Sequence, residues 1–240
     1  MTNNTILRFS NIEKSFDNIG VLNNLSFDAN REEIVCIIGP SGCGKSTMLN
    51  IMSGLIEPSC GQVINQSQNT SYVFQEDRLL PWKDVYQNIR IVNKKSSHEY
   101  IMELIQKVGL KGFEGFYPSE LSGGMRQRCS IARAFNYEAD LLLMDEPFKS
   151  LDYNLRIGMI RHLLTLWDST KKTIIFVTHE IDEVLLLGDR VLLLSDRPAK
   201  VRREFRLEKP KCKRNLTDAD LIDTRNEIIR NFQSENALPS

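Results

Sequence analysis

The uninterrupted apolar runs in this chain are short. Glu33–Ile38 (EIVCII), Leu141–Met144 (LLLM), Thr173–Val177 (TIIFV) and Val191–Leu194 (VLLL) are rich in aliphatic residues, and the segments between them are long enough to hold helices. Strands that are apolar on both faces need cover on both sides, so this alternation predicts an α/β core with a largely parallel sheet. After Gly39 the segment STMLNIMSGL places apolar residues at helical spacing, which reads as strand, loop, helix. Between about Asp77 and Ala134 the pattern changes to helix-like segments such as HEYIMELIQKVGL, with no convincing strand. A helical subdomain over 77–134, inserted in a core of 1–76 and 135–216, is the expected organisation. The tail, 217–240, is expected to carry an amphipathic helix from Thr217 to Phe232, started by Thr217 with Asp220 three residues on, an aspartate variant of the capping box.

Composition narrows the partners by exclusion. The 240 residues are 41% apolar, enough for one large domain. Lys plus Arg equals Asp plus Glu at 31 each, so no whole-chain basic excess points to nucleic acid. The first residues, MTNNTILRFSNIEKSF, lack a basic stretch followed by an apolar core, and no apolar run approaches the roughly 18 residues of a membrane span. The expectation is a folded protein, neither secreted nor spanning a membrane by itself. Cysteines at 36, 43, 60, 129 and 212 form no CxxC pair, which argues against a zinc site or disulfide scaffold and fits a reducing compartment. Cys36 reads as core, whereas Cys43, inside a glycine-rich loop, reads as a candidate reactive thiol.

The chemistry begins at GPSGCGKS, Gly39 to Ser46, which matches GxxxxGK[ST] directly after a strand and opening a helix. Glycines at 39, 42 and 44 allow the backbone to turn so that amide N–H groups converge on phosphate oxygens, with the helix N-terminus adding its dipole. Pro40, Ser41, Cys43 and Thr47 complete the loop and its first helical turn; Lys45 is placed to bridge the outer phosphates and the Ser46 hydroxyl to ligate Mg2+. LLLMDEP then supplies carboxylates at a strand's C-terminal end, where ligands bind in open α/β sheets. Asp145 is the candidate for the magnesium shell and Glu146 for the base facing the attacking water. A DE pair alone is usually a solvated strand end; its partnership with the phosphate loop makes catalysis the better reading.

LSGGMRQR, Leu121 to Arg128, lies between the two nucleotide motifs and resembles the signature of the ABC transporter ATPases. The resemblance covers nearly the whole chain, in order: Phe16, the phosphate loop, Gln75, the signature, Asp145-Glu146, Ser150-Leu151-Asp152, then His179. It implies the ABC ATPase fold: a P-loop NTPase core with an N-terminal antiparallel β subdomain and an inserted α-helical subdomain. It implies ATP and Mg2+ as cofactors, with Phe16 stacked on adenine and Gln75 touching magnesium and the attacking water. Ser122, Gly123 and Gly124 would face the terminal phosphate of ATP held by a second copy, His179 would contact that phosphate in its own site, and Asp152 would cross the dimer interface. Because the signature serves the partner's nucleotide, an ATP-dependent head-to-tail dimer is implied, working with a separate membrane permease, and indirectly a substrate-binding protein, at the cytoplasmic face of the membrane. This chain departs from the family at Glu32, where a glycine is usual before the P-loop strand, and at Lys149-Ser150, where a small pair is usual.

EDRLLPWKDVYQNI after Gln75 and VLLLSDRPAKVRREF after His179 resemble the importer ATPases of the nitrate, sulfonate and taurine group. Trp82 reads equally as a core aromatic of the helical subdomain and as a permease contact. From Arg197 to Arg214 there are nine basic and two acidic residues, read as a solvated face or as an attraction to anionic headgroups. The rival function is a soluble ABC ATPase acting on ribosomes or DNA, types that carry two cassettes or long inserted coiled coils; here one cassette is present, and 77 positions separate Lys45 from Ser122. A nucleotide-binding regulator without turnover is the third reading, against which Glu146 and His179 speak.

Overall fold

A computed structural model describes residues 4–149 and 151–236; Ser150 and the tail beyond 236 lie outside the described residues. In chain order the elements are β1 (Thr5–Phe16), β2 (Ile19–Asn30), β3 (Ile34–Ile38), α1 (Lys45–Met52), β4 (Cys60–Asn65), β5 (Thr70–Val73), α2 (Val85–Arg90), α3 (His98–Lys107), α4 (Gly123–Asn136), β6 (Leu141–Asp145), α5 (Tyr153–Thr170), β7 (Thr173–Thr178), α6 (Ile181–Leu187), β8 (Arg190–Leu194), β9 (Val201–Arg206) and α7 (Ala219–Asn236). Two units divide the chain: 1–66 with 175–240, and 67–174.

In the first unit β1 pairs antiparallel with both β2 and β4, giving the sheet order β2-β1-β4. β1 and β2 alternate imperfectly between buried and exposed positions, and Ile6, Leu7, Phe9, Ile12, Leu25 and Ala29 carry the buried side. β3 is buried at every residue and runs parallel to β8, which in turn pairs antiparallel with β9. The apolar runs at 34–38 and 191–194 are thus buried strand residues, as their lack of alternation predicts. The turn from β2 into β3 places Glu32 at φ 62°, the left-handed conformation that explains why a glycine is usual here. A non-glycine residue in this region costs about 1 kcal/mol; Glu33 steadies the turn by accepting from the Asn30 amide at 2.8 Å.

The final helix begins at Ala219, later than Thr217, because the Thr217 hydroxyl donates to Asn215 Oδ1 (3.0 Å) and is not turned to the helix. Asp218 organises this start instead, accepting from the Asn215 amide and from Lys209 Nζ. The basic run before it is largely consumed internally, a use that neither sequence reading foresaw. Arg203 pairs with Glu227, Arg202 donates to the Asn231 carbonyl, Lys211 pairs with Asp189, and Arg214 donates to the carbonyls of Leu185, Gly188 and Leu207. These charges fasten α7 and its approach to the first unit.

In the second unit β5 pairs parallel with β6, and α2 to α5 supply the rest. Among the described residues from 77 to 134 there is no strand. α3 starts at Ser97, whose hydroxyl accepts from the Tyr100 amide at 3.2 Å; Ile101, Leu104 and Ile105 bury its apolar face. Asn88 is wholly buried and satisfied, accepting from the Leu80 amide and donating to the carbonyls of Leu80, Lys83 and Asp84. It thereby holds the non-helical LLPW segment against α2. Trp82 itself is 69% exposed, so the core reading of this residue is corrected: the asparagine fixes the segment and the indole projects from it.

Candidate functional site

Phe16, the loop 39–47 and His179 belong to the first unit; Gln75, Ser122 to Gly124, Asp145, Glu146 and Asp152 belong to the second. In the first unit the phosphate loop springs from the C-terminal end of β3 and closes at Gly44, the N-cap of α1. Gly44 sits at φ 122°, and a Cβ there would lie 2.9 Å from both Leu22 Cδ2 and Val21 Cγ1, so only glycine fits. Lys45 is buried, and its ammonium folds back to donate to the carbonyls of Gly39 and Pro40, each at 2.8 Å. The loop therefore gathers a buried cation and a helix N-terminus, while Ser46 lies exposed one residue on.

Cys43 is buried, which corrects its reading as a reactive thiol. Burial pushes its pKa up, with the Lys45 charge opposing, so the thiolate is disfavoured. Cys36, in β3, is core as expected. Phe16 ends β1 beside the tight turn to Ile19, 46% exposed, with Lys14 Nζ 4.9 Å from its ring centroid. At that exposure it is not a core phenylalanine. His179 follows β7 at the strand's end, exposed, its Nε2 3.8 Å from Glu180 Oε1.

In the second unit Asp145 is the last residue of β6 and is buried. Tyr72, from the neighbouring β5, hydrogen-bonds its carboxylate, and burial together with that carboxylate pushes the phenol well up, keeping it a donor. Glu146 follows at φ 42°, a left-handed glutamate that turns the chain sharply out of the strand. Its side chain is 9% exposed, and Lys149 Nζ lies 2.9 Å from Oε2. The departure at Lys149 thus places a cation on the candidate base, a contact that the local pattern gives no signal for. The adjoining Ser150 lies outside the described residues.

Gln75 is exposed two residues beyond the end of β5. The segment around it is tied to α4: Gln127 Nε2 donates to the Phe74 carbonyl (3.4 Å), Arg126 Nε to Asp77 Oδ2 (2.9 Å) and Arg133 to the carbonyls of Asp77 and Arg78 (each 3.0 Å). Ser122 caps α4, its hydroxyl accepting from the Met125 amide at 3.3 Å, and Gly123 and Gly124 open the helix. A Cβ on Gly124 would come within 2.6 Å of Leu151 Cδ2, so the signature glycine permits close packing on the residue preceding Asp152. Asp152 caps α5 through the Leu155 amide at 3.0 Å. The signature is therefore an exposed helix N-terminus bearing a hydroxyl, a geometry suited to an anion.

Residues 22–149 match the family model described as ABC transporter. An aliphatic sulfonates import ATP-binding protein of Bacillus cereus is 37% identical over 232 residues, covering 92% of this chain and 91% of the relative. A taurine import ATP-binding protein of Rhizobium johnstonii is 41% identical over 203 residues, covering 79% and 78%. Among solved structures, a dimeric post-hydrolysis state of an ATP-binding cassette bound to ADP and Pi superposes with a TM-score of 0.72 at 28% identity, covering 85% of this chain and all of that one. On the phosphate loop, the signature and these matches together, the chain belongs to the ABC transporter family as an ATP-binding, ATP-hydrolysing cassette.

Proposed function

We propose that this cassette is the motor of an importer for a small solute of the nitrate, sulfonate or taurine kind, docked on a separate membrane permease fed by a substrate-binding protein. The observation that supports it most directly is the similarity, over nine-tenths of both chains, to an ATP-binding protein named for sulfonate import. Among the described residues no helix is long and apolar enough to cross a membrane.

In this reading the loop Gly39–Thr47 holds the ATP phosphates, Lys45 exchanging its two carbonyl partners for phosphate oxygens, and Phe16 covers the adenine. Ser46, Asp145 and Gln75 are the residues that would hold Mg2+. They fit it in kind, being hard oxygen donors with one buried carboxylate, and no cluster of three or more His, Cys, Asp or Glu among the described residues competes for a softer metal. The ion would neutralise charge on the phosphates. Glu146 orients and deprotonates the attacking water, and His179 donates to the terminal phosphate. Ser122 to Gly124 serve a second copy's nucleotide, so the competent form is a twofold dimer, closed by ATP and released by hydrolysis.

Co-expression with the candidate permease tests the assignment. Co-purification, with ATPase activity that rises when a sulfonate-loaded binding protein is added, is expected. Recovery with ribosomes or DNA ends in place of a hydrophobic partner would move the chain to the soluble, non-transport class.

A further inference from the structure

The turn after β8, Ser195 to Lys200, is built more rigidly than a surface connection requires. Ser195 N–H donates to the Lys200 carbonyl and the Lys200 amide donates to Ser195 Oγ, each at 3.0 Å, closing the turn on itself. Ala199, fully buried, is then sewn to β2: its amide donates to the Val21 carbonyl at 2.8 Å and its carbonyl accepts from the Asn23 amide at 3.0 Å. β2 is also the floor of the phosphate loop, because the side chains of Val21 and Leu22 are those that press on Gly44. Leu194, the last residue of β8, meets the loop from beneath at Gly39, where a Cβ would lie 3.0 Å from Leu194 Cβ. Turn and phosphate loop therefore share one foundation.

From the tip of this turn Arg197, itself exposed, reaches across and donates from Nη2 to the Gly42 carbonyl at 2.5 Å. That carbonyl belongs to the peptide whose other end is the Cys43 N–H. Gly42 is at φ 77°, with no side chain to resist rotation of the plane, and the Cys43 amide donates to the Pro40 carbonyl over a long 3.3 Å. A charged donor on the oxygen fixes the direction of the plane and polarises its N–H. We propose that Arg197 is a positioning residue for ATP binding: by gripping the Gly42 carbonyl from outside, it pre-sets the peptide whose N–H must face phosphate. Its charge adds to the field at the loop without touching the reacting atoms. The inference rests on the reading of 39–47 as the phosphate site.

The test compares Arg197→Met, which keeps the length and loses the donor, with Arg197→Lys, which keeps a cationic donor, and with Lys45→Ala. Equilibrium binding of a fluorescent ATP analogue to the purified chain is the primary readout, with nucleotide-free thermal unfolding beside it. Arg197→Met is expected to weaken binding about five- to tenfold, the worth of one charge-assisted hydrogen bond at a partly exposed site. KM for ATP should rise in step while kcat at saturating ATP stays within about twofold, Arg197→Lys should recover most of the affinity, and the melting temperatures of both should match wild type. Wild-type affinity in Arg197→Met, with binding lost in Lys45→Ala, overturns the role of Arg197 and leaves the phosphate site standing. A large fall in melting temperature, with no rescue by lysine, overturns it in favour of simple fold support. Wild-type binding by Lys45→Ala overturns the phosphate-site reading and this inference with it.

Discussion

Lys149 Nζ lies 2.9 Å from Glu146 Oε2, a cation on the proposed base. Lys149 is 47% exposed, so the pair contributes little to stability, about 1 kcal/mol or less. Its effect belongs to chemistry, since an ammonium held on the carboxylate oxygen competes with a water for the same lone pairs. Lys149→Ala is expected to unfold at the wild-type temperature and to hydrolyse ATP up to about threefold faster. A tenfold loss of turnover in steady-state assays would show that the lysine holds Glu146 in its working position instead.

Glu146→Gln keeps shape and removes the proton acceptor. ATP binding should persist, while hydrolysis falls by about 10²- to 10⁴-fold and an ATP-bound dimer accumulates. Size-exclusion chromatography with ATP, together with single-turnover assays, checks both halves. Undiminished turnover would remove Glu146 from the mechanism.

Ser122→Arg probes the shared site. The hydroxyl caps α4 at an exposed helix start, so the change sacrifices one cap, about 1 kcal/mol, and puts a bulky side chain where the partner's phosphate is proposed to sit. Monomers should still bind ATP, and ATP-driven dimerisation should fail by light scattering. Normal dimers with normal turnover would refute a composite site.

Trp82→Ala discriminates docking from packing. With 69% of the residue exposed, truncation should cost well under the roughly 3–5 kcal/mol of a buried aromatic, leaving the melting temperature and basal ATPase near wild type. Loss of permease pull-down is expected. Retention of a full-strength complex would withdraw the docking role.

His162, half-buried on α5, gives stability a pH dependence. Burial depresses its pKa below 6.5, and the Arg128 guanidinium adds to the fall, against a rise from a hydrogen bond to Lys107. The unfolded chain therefore binds the proton more readily, so stability rises with pH through this range and is lost as pH falls below about 6.5. His162→Gln should flatten the melting temperature between about pH 7 and 5. An unchanged slope would mean that other groups set it.

What the chain declares by itself is whatever rests on neighbours in sequence. The phosphate loop, DE after LLLM and LSGGMRQR are runs of adjacent residues recognised by their own spacing, and buried strands declare themselves by lacking polar positions. Tertiary structure decided everything that depends on which surface is covered or on contacts distant in sequence. Cys43 and Trp82 stand in equally suggestive segments, yet one is buried and the other projects, because spacing does not say what packs above a loop. The basic run from Arg197 to Arg214 reads as a charged face until its partners at Glu227, Asp189 and the Gly188 carbonyl are in place. Arg197 meets Gly42 across 155 positions, a contact that exists only because β2 carries both the turn and the loop, and no local pattern encodes it.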